Sequence, residues 1–174
     1  MKMKNITLVR NAIIQKINGN NDIKRLIYYL TRTPLESTGI DLDNVVQDQP
    51  DISEINFISE EKRILPFFSS NILTEDKVYV ICRRDSGDLR DDCEGVNRII
   101  IDVWTPRIHA ELDYEQDRQS LIVQNICNEI DQTVIRSLGE IKVVHFQDNV
   151  DNTNKDFLIL SIFVEVPTCN MKIG

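Results

Sequence analysis

The sequence is poor in the residues that build the commonest catalytic and cofactor sites. Its 174 residues include six glycines, two histidines and four cysteines. Neither GxGxxG nor GxxxxGK[ST] occurs, so no loop of the kind that cradles phosphates is present, and GxSxG is absent as well. We therefore expect a protein that binds no cofactor and is not an enzyme.

The possible metal ligands are widely dispersed. The four cysteines and two histidines are Cys82, Cys93, Cys127, Cys169, His109 and His145. A zinc site needs three or four converging ligands, usually with a pair spaced as CxxC or HxxxH, and no such pair occurs. The sequence therefore predicts no metal site, and we interpret Cys82 and Cys127 as small core hydrophobes.

Positive charge is also scarce, since 20 Lys and Arg oppose 28 Asp and Glu for a net charge of −8. This balance argues against a surface that neutralises DNA phosphates. The acidic loop from Asp85 to Glu94 lacks the ligand spacing of a calcium loop, and we interpret it as a solvated hairpin loop. No stretch has the apolar length that crosses a bilayer, and the first residues do not resemble a signal peptide. We expect synthesis in the cytoplasm and no membrane partner.

Helical periodicity appears in two regions. Residues 5–31 predict two helices broken at "NGNN", with Asn21 or Asp22 as the cap of the second. "YEQDRQSLIVQNICNEIDQTVIRSL" predicts one long helix whose apolar stripe runs from Val123 to Leu138, with Gly139 as its stop.

Four segments alternate as strands: "KVYVICRR", "NRIIIDVWTP", "EIKVVHFQD" and "DFLILSIFVEVP". They pair in order as two hairpins, and the last strand, apolar on both faces, is expected to be central. The predicted fold is α+β, a mainly antiparallel sheet with the long helix on one face, N-terminal helices and an extended arm. We divide it into N-terminal helices (1–31), arm (32–75), core domain (76–167) and C-terminal tail (168–174). Unpaired strand edges in such a sheet are natural sites of association.

The arm carries apolar residues without a regular period. Those predicted to anchor it are Leu35, Ile40, Leu42, Val45, Val46, Ile52 and Phe57. A free linker would expose such side chains to water at a cost, so we expect the arm to cover a surface. That surface is either its own domain or a neighbouring subunit.

The hairpin ending in "DVWTP", the helix "RQSLIVQNICNEI" and the closing strands "IKVVHFQD" and "FLILSIFVEVP" resemble the tail-terminator and neck proteins of tailed bacteriophages. The stretch from "RLIYYLTRTPLE" to "RILPFFSSN" is most similar to neck ring components of the crAss-like group. The resemblance implies a structural virion protein that forms a ring of six or twelve subunits in the head–tail connector.

Its implied partners are the portal and other neck or tail proteins, with DNA passing through unbound and the arm residues at the subunit interface. The alternative hypothesis is a small adaptor or regulatory domain that binds a protein partner.

Overall fold

The computed structural model describes residues 2–36, 51–68, 75–85, 94–113, 115–135, 139–148 and 156–169. The helices are α1 (Lys2–Gly19), α2 (Asn21–Tyr28) and α3 (Arg118–Ile130). The strands are β1 (Ile64–Leu65), β2 (Tyr79–Arg84), β3 (Glu94–Pro106), β4 (Val134–Ile135), β5 (Gly139–Glu140), β6 (Lys142–Asp148) and β7 (Phe157–Cys169). The predicted α+β class is confirmed.

The main sheet has five strands in the order β1-β2-β3-β7-β6. Every neighbouring pair is antiparallel except β1 and β2, and the longest ladder joins β3 to β7 from Glu94↔Cys169 to Pro106↔Phe157. Both predicted hairpins, β2–β3 and β6–β7, are confirmed. The strand that is apolar on both faces, β7, lies inside the sheet between β3 and β6.

The three helices pack on one face of this sheet, which we call the inner face. The strand residues that meet them alternate along the chain, as a period of two requires. They include Val78, Val80, Cys82, Ile99, Ile101, Val103, Ile162, Val164 and Val166. The opposite residues of the same strands form the outer face, where Tyr79, Ile81, Leu65 and Trp104 make a separate cluster. Among the described residues no helix is long and apolar enough to span a bilayer.

The N-cap of the second helix lies one residue before the two positions predicted from the sequence. Asn20, and neither Asn21 nor Asp22, is the N-cap of α2. Its side-chain Oδ1 accepts the backbone N–H groups of Asp22 and Ile23, each at 3.0 Å, which satisfies two donors that the first helical turn leaves free.

The predicted C-terminus of the long helix is wrong. The helix ends at Ile130, Gln132 adopts a left-handed conformation (φ 58°), and Val134–Ile135 pairs as β4 with β5. Three consecutive β-branched residues begin at Thr133, and these lose side-chain freedom in a helix but suit a strand. Val134 is therefore 70% exposed instead of completing the apolar stripe, and Gly139 serves a strand start with φ 106°.

Of the two cysteine side chains that the structure describes, Cys82 is buried and Cys127 is partly buried. Burial raises the pKa of Cys82 to about 12 and that of Cys127 to about 11. Cys82 lies wholly within the inner-face core and Cys127 packs against it, as expected of core hydrophobes.

We predict that both thiols resist a thiol-specific reagent in the native protein at pH 8. The measurement uses a Cys93→Ser/Cys169→Ser background, so that only these two thiols report. Labelling should accelerate many-fold in urea, since the thiolate is the reactive form and burial suppresses it. Rapid labelling of Cys82 without denaturant would contradict its placement.

Candidate interaction surface

The side chain of Arg118 holds together the parts of the chain that surround α2. It is the first residue of α3, it is fully buried, and it donates to backbone carbonyl oxygens. The acceptors are His109 (Nε, 2.6 Å), Leu26 and Tyr29 (Nη1, 2.6 and 2.7 Å) and Thr31 (Nη2, 2.5 Å). Helix C-terminal carbonyls lack partners within their own helix and favour a nearby cation, so one guanidinium stabilises the end of α2.

Two more buried cations act in the same way on the segment that returns toward β1. Lys24 donates from Nζ to the carbonyls of Ile52 (3.3 Å) and Ser53 (3.2 Å), and its ammonium lies over the ring of Phe57. Burial lowers the pKa of Lys24, an effect that the carboxylate of Asp51 opposes. Arg63 donates to the Ile27 carbonyl at 2.7 Å, so cations tie this irregular segment to α2.

The residues on both sides of residues 37–50 are held by charged side chains. On the departing side, Arg32 forms ion pairs with Asp113 (2.8 Å) and Glu111 (3.1 Å). On the returning side, Lys24 of α2 holds the carbonyls of Ile52 and Ser53. We call residues 37–50 the 37–50 segment. Its flanking residues are thus anchored on both sides.

The predicted interface residues fall into two groups. Ile52 and Phe57 are buried in the core of their own chain, and Leu35 packs partly buried against that core. In this structure Ile52 and Phe57 therefore offer no surface to another subunit, and residues 51–58 cover their own domain. Four predicted interface residues, Ile40, Leu42, Val45 and Val46, lie outside the described residues. All the predicted interface residues that the structure does not describe therefore lie in the 37–50 segment.

The outer face of the sheet carries a buried polar group at its centre. Asp102 on β3 accepts from Arg83 Nε and from Ser161 Oγ, both at 2.5 Å. Each carboxylate oxygen thus has a donor, which offsets the cost of removing the charge from water. Because both Asp102 oxygens accept hydrogen bonds within the sheet, we interpret this network as a structural element of the sheet.

Next to this network, the outer face ends in aromatic side chains. We define the aromatic patch as Phe67, Phe68 and Trp104. The Phe68 and Trp104 ring centroids are 5.3 Å apart, and Trp104 continues to Phe157 at 6.0 Å. Phe67 is 64% exposed and Phe68 45%, although large aromatic side chains favour burial. This surface was not predicted from the sequence. The two adjacent phenylalanines after Pro66 and the sole tryptophan are the sequence features that could have indicated it.

The free edge of β6 is less suited to pairing than its length indicates. The register with β7 shifts between Val143 and His145, which places a β-bulge on this edge strand. Bulges on edge strands hinder the addition of another strand. A shallow cleft of about 270 Å³ lies beside it, lined by charges of both signs that include Arg98 and Glu165. These two form an ion pair at 2.8 Å, so the cleft favours no ligand charge.

No group of three or more His, Cys, Asp or Glu side chains is placed to hold a metal ion within the described part of the chain. Most of the acidic loop, residues 86–93, lies outside it. Among the described residues, the aromatic patch is the surface best suited to an interaction.

We predict that Arg118→Ala lowers the free energy of unfolding by about 3 kcal/mol, because it leaves several buried carbonyls without donors. The matched control is Arg32→Ala, which removes an arginine whose side chain is 58% exposed and should cost less than about 1 kcal/mol. Urea unfolding followed by circular dichroism measures both. Equal losses in the two variants would show that Arg118 has no special role.

His109 predicts a pH dependence with a definite sign. Burial lowers its pKa from 6.5, the Arg118 cation lowers it further, and Asp76 opposes both. The unfolded chain then binds the proton first, so stability is full above pH 6.5 and falls as the pH drops below that value. Urea midpoints at pH 7.5 and 5.5 should differ less in His109→Asn than in the wild type. An unchanged difference would exclude His109 as the cause.

No curated protein matches the chain. The chain does match the model of the YomW family over residues 20–166 of its 174 residues, a range that spans α2, α3 and nearly all of the main sheet. YomW is a gene-product name from a Bacillus phage of the SPBc2 type. The chain therefore belongs to the YomW family and is a phage-related protein.

Proposed function

We propose that this protein is a ring-forming structural subunit of a phage head–tail connector, which joins the portal to the tail and leaves a passage for DNA. It performs no turnover. The observation that carries the proposal is the anchoring of the residues on both sides of the 37–50 segment. The phage-related family supports the setting in which such a subunit would act.

The 37–50 segment has the composition of a contact element. It includes Ile40, Leu42, Val45 and Val46 but no Lys or Arg. The Lys24 and Arg32 contacts limit the freedom of the residues that flank the segment. Fixing these ends lowers the entropy that docking on another subunit must overcome.

Contacts between subunits of one kind produce a ring when they are head-to-tail and the rotation closes. Obligate interfaces commonly exceed about 2,000 Å², and small subunits reach that size by extending segments onto neighbours. The net charge of −8 suits the wall of a DNA passage, because like charges prevent adhesion.

We predict that the purified protein forms oligomers of six or twelve subunits and that Leu42→Asp/Val45→Asp/Val46→Asp abolishes them while the fold persists. Native mass spectrometry gives the subunit number, and circular dichroism gives the fold. The matched control, Ser37→Asp/Thr38→Asp/Gln47→Asp, adds the same charge to the same segment but keeps its apolar side chains. This control should still assemble.

Quantitative mass spectrometry of purified virions tests the location in the particle. Six or twelve copies per portal agree with a connector ring. Absence from clean particles would contradict the connector and favour the alternative function, an adaptor or regulatory domain that binds a protein partner.

A further inference from the structure

We propose that the aromatic patch is the docking site for the 37–50 segment of a second copy of this chain. This inference rests on the self-association in the proposed function and adds the surface that receives the segment. The patch consists of described residues on one subunit, and the occupant is a defined stretch of the next.

The first argument is the unusual exposure of the patch. Phe67 and Phe68 directly follow Pro66 at the end of β1, the short edge strand of the sheet. The ring of Phe68 lies 5.3 Å from that of Trp104, which also packs against Phe157 at 6.0 Å. Exposed aromatic rings beside a fixed tryptophan are typical of the anchoring centre of a protein interface. An apolar segment laid over them would bury surface that now faces water.

The 37–50 segment and the margin of the aromatic patch differ in charge. The 37–50 segment carries Asp41, Asp43 and Asp48 between its apolar residues and has no basic residue. At one side of the patch, Arg10 donates from Nη1 to the Pro66 carbonyl at 3.2 Å. At the other side, Arg107 and Asp156 carry opposite charges and lie side by side, with the Arg107 N–H donating to the Asp156 carbonyl oxygen at 2.9 Å, so this margin adds little.

Tyr79 is opposite Trp104 in the sheet, and the charges nearest to it add little to the net charge around the patch. Lys77 and Glu75 form an ion pair at 2.6 Å, so they largely cancel. An acidic, apolar segment would therefore meet a patch with a basic residue, Arg10, at its margin, and opposite potentials both steer the encounter and fix its register.

The third argument is the position of the two elements on the subunit. Lys24 and Arg118 hold the flanks of the 37–50 segment on the helix layer at the inner face. Trp104 belongs to the outer-face cluster, on the opposite side of the sheet. Flanks on one side of the sheet and an acceptor on the other are what the proposed head-to-tail contact requires, because each subunit then gives and receives once.

The test mixes two variants, each lacking one half of the contact. The segment variant, Leu42→Asp/Val45→Asp/Val46→Asp, keeps the patch, and the patch variant, Phe67→Ser/Phe68→Ser, keeps the segment. Each alone should be monomeric with an unchanged circular dichroism spectrum. Their mixture should give a one-to-one complex and nothing larger, because only one productive contact remains.

The matched control is Val134→Ser/Val144→Ser, which removes two exposed apolar side chains on β4 and on the edge strand β6, away from the patch, and should assemble like the wild type. Wild-type rings formed by the patch variant would overturn this inference and leave the proposed ring intact. Two monomeric variants that fail to form a complex would overturn it as well.

Trp104 is the sole tryptophan, so its fluorescence reports on the patch directly. A synthetic peptide of residues 37–50, added to the full-length segment variant, should shift the Trp104 emission with a saturable response. The same peptide with its sequence scrambled should not. This measurement stands even where the wild-type protein forms no ring in solution, and the absence of a saturable shift would overturn the inference.

Discussion

The buried guanidinium of Arg118 is the interaction on which the arrangement of the helix layer depends. Burying a charge is costly, and the cost is offset only when hydrogen bonds use the donors. Here the acceptors are carbonyls from the end of α2, from Tyr29 and Thr31 just after it, and from the turn at His109. One side chain therefore fixes α2 against the start of α3, and through α3 against the sheet.

The same physical device recurs around α2 and explains how a long irregular segment is ordered without strands of its own. Lys24 and Arg63 donate to carbonyls across chain separations of 28 to 36 residues, and each also contacts an aromatic ring. Apolar packing of Ile52 and Phe57 supplies the remaining contacts. Residues 51–65 thereby become part of the domain, and the two flanks of the 37–50 segment acquire fixed positions.

These cations also mark the limit of what the sequence could predict. The four long strands were correctly predicted because alternating β-branched residues bury on a period of two, as at Val80 and Ile101. The two-residue strands β1, β4 and β5 were not predicted, since two residues show no period. The end of α3 was predicted wrongly. The helical spacing of apolar residues continues in the sequence to Leu138, whereas the β-branched residues after Gln132 favour a strand. Arg118 gave no signal, since an arginine at a helix start is usually solvated. Apolar residues of irregular spacing indicate that a segment covers a surface, but they do not show which surface it covers. Ile52 and Phe57 cover their own domain.

Both edges of the main sheet resist the addition of another strand, which narrows how the described part of the protein can associate. At one edge β1 has two residues, and at the other β6 carries a bulge beside half-exposed Val144 and Phe146. Short and bulged edges are the usual means by which sheets avoid uncontrolled growth. Association then depends on side chains presented at the surface. The aromatic patch presents such side chains, and the head-to-tail contact that we propose through it would let copies meet repeatedly without extending the sheet from one subunit into the next.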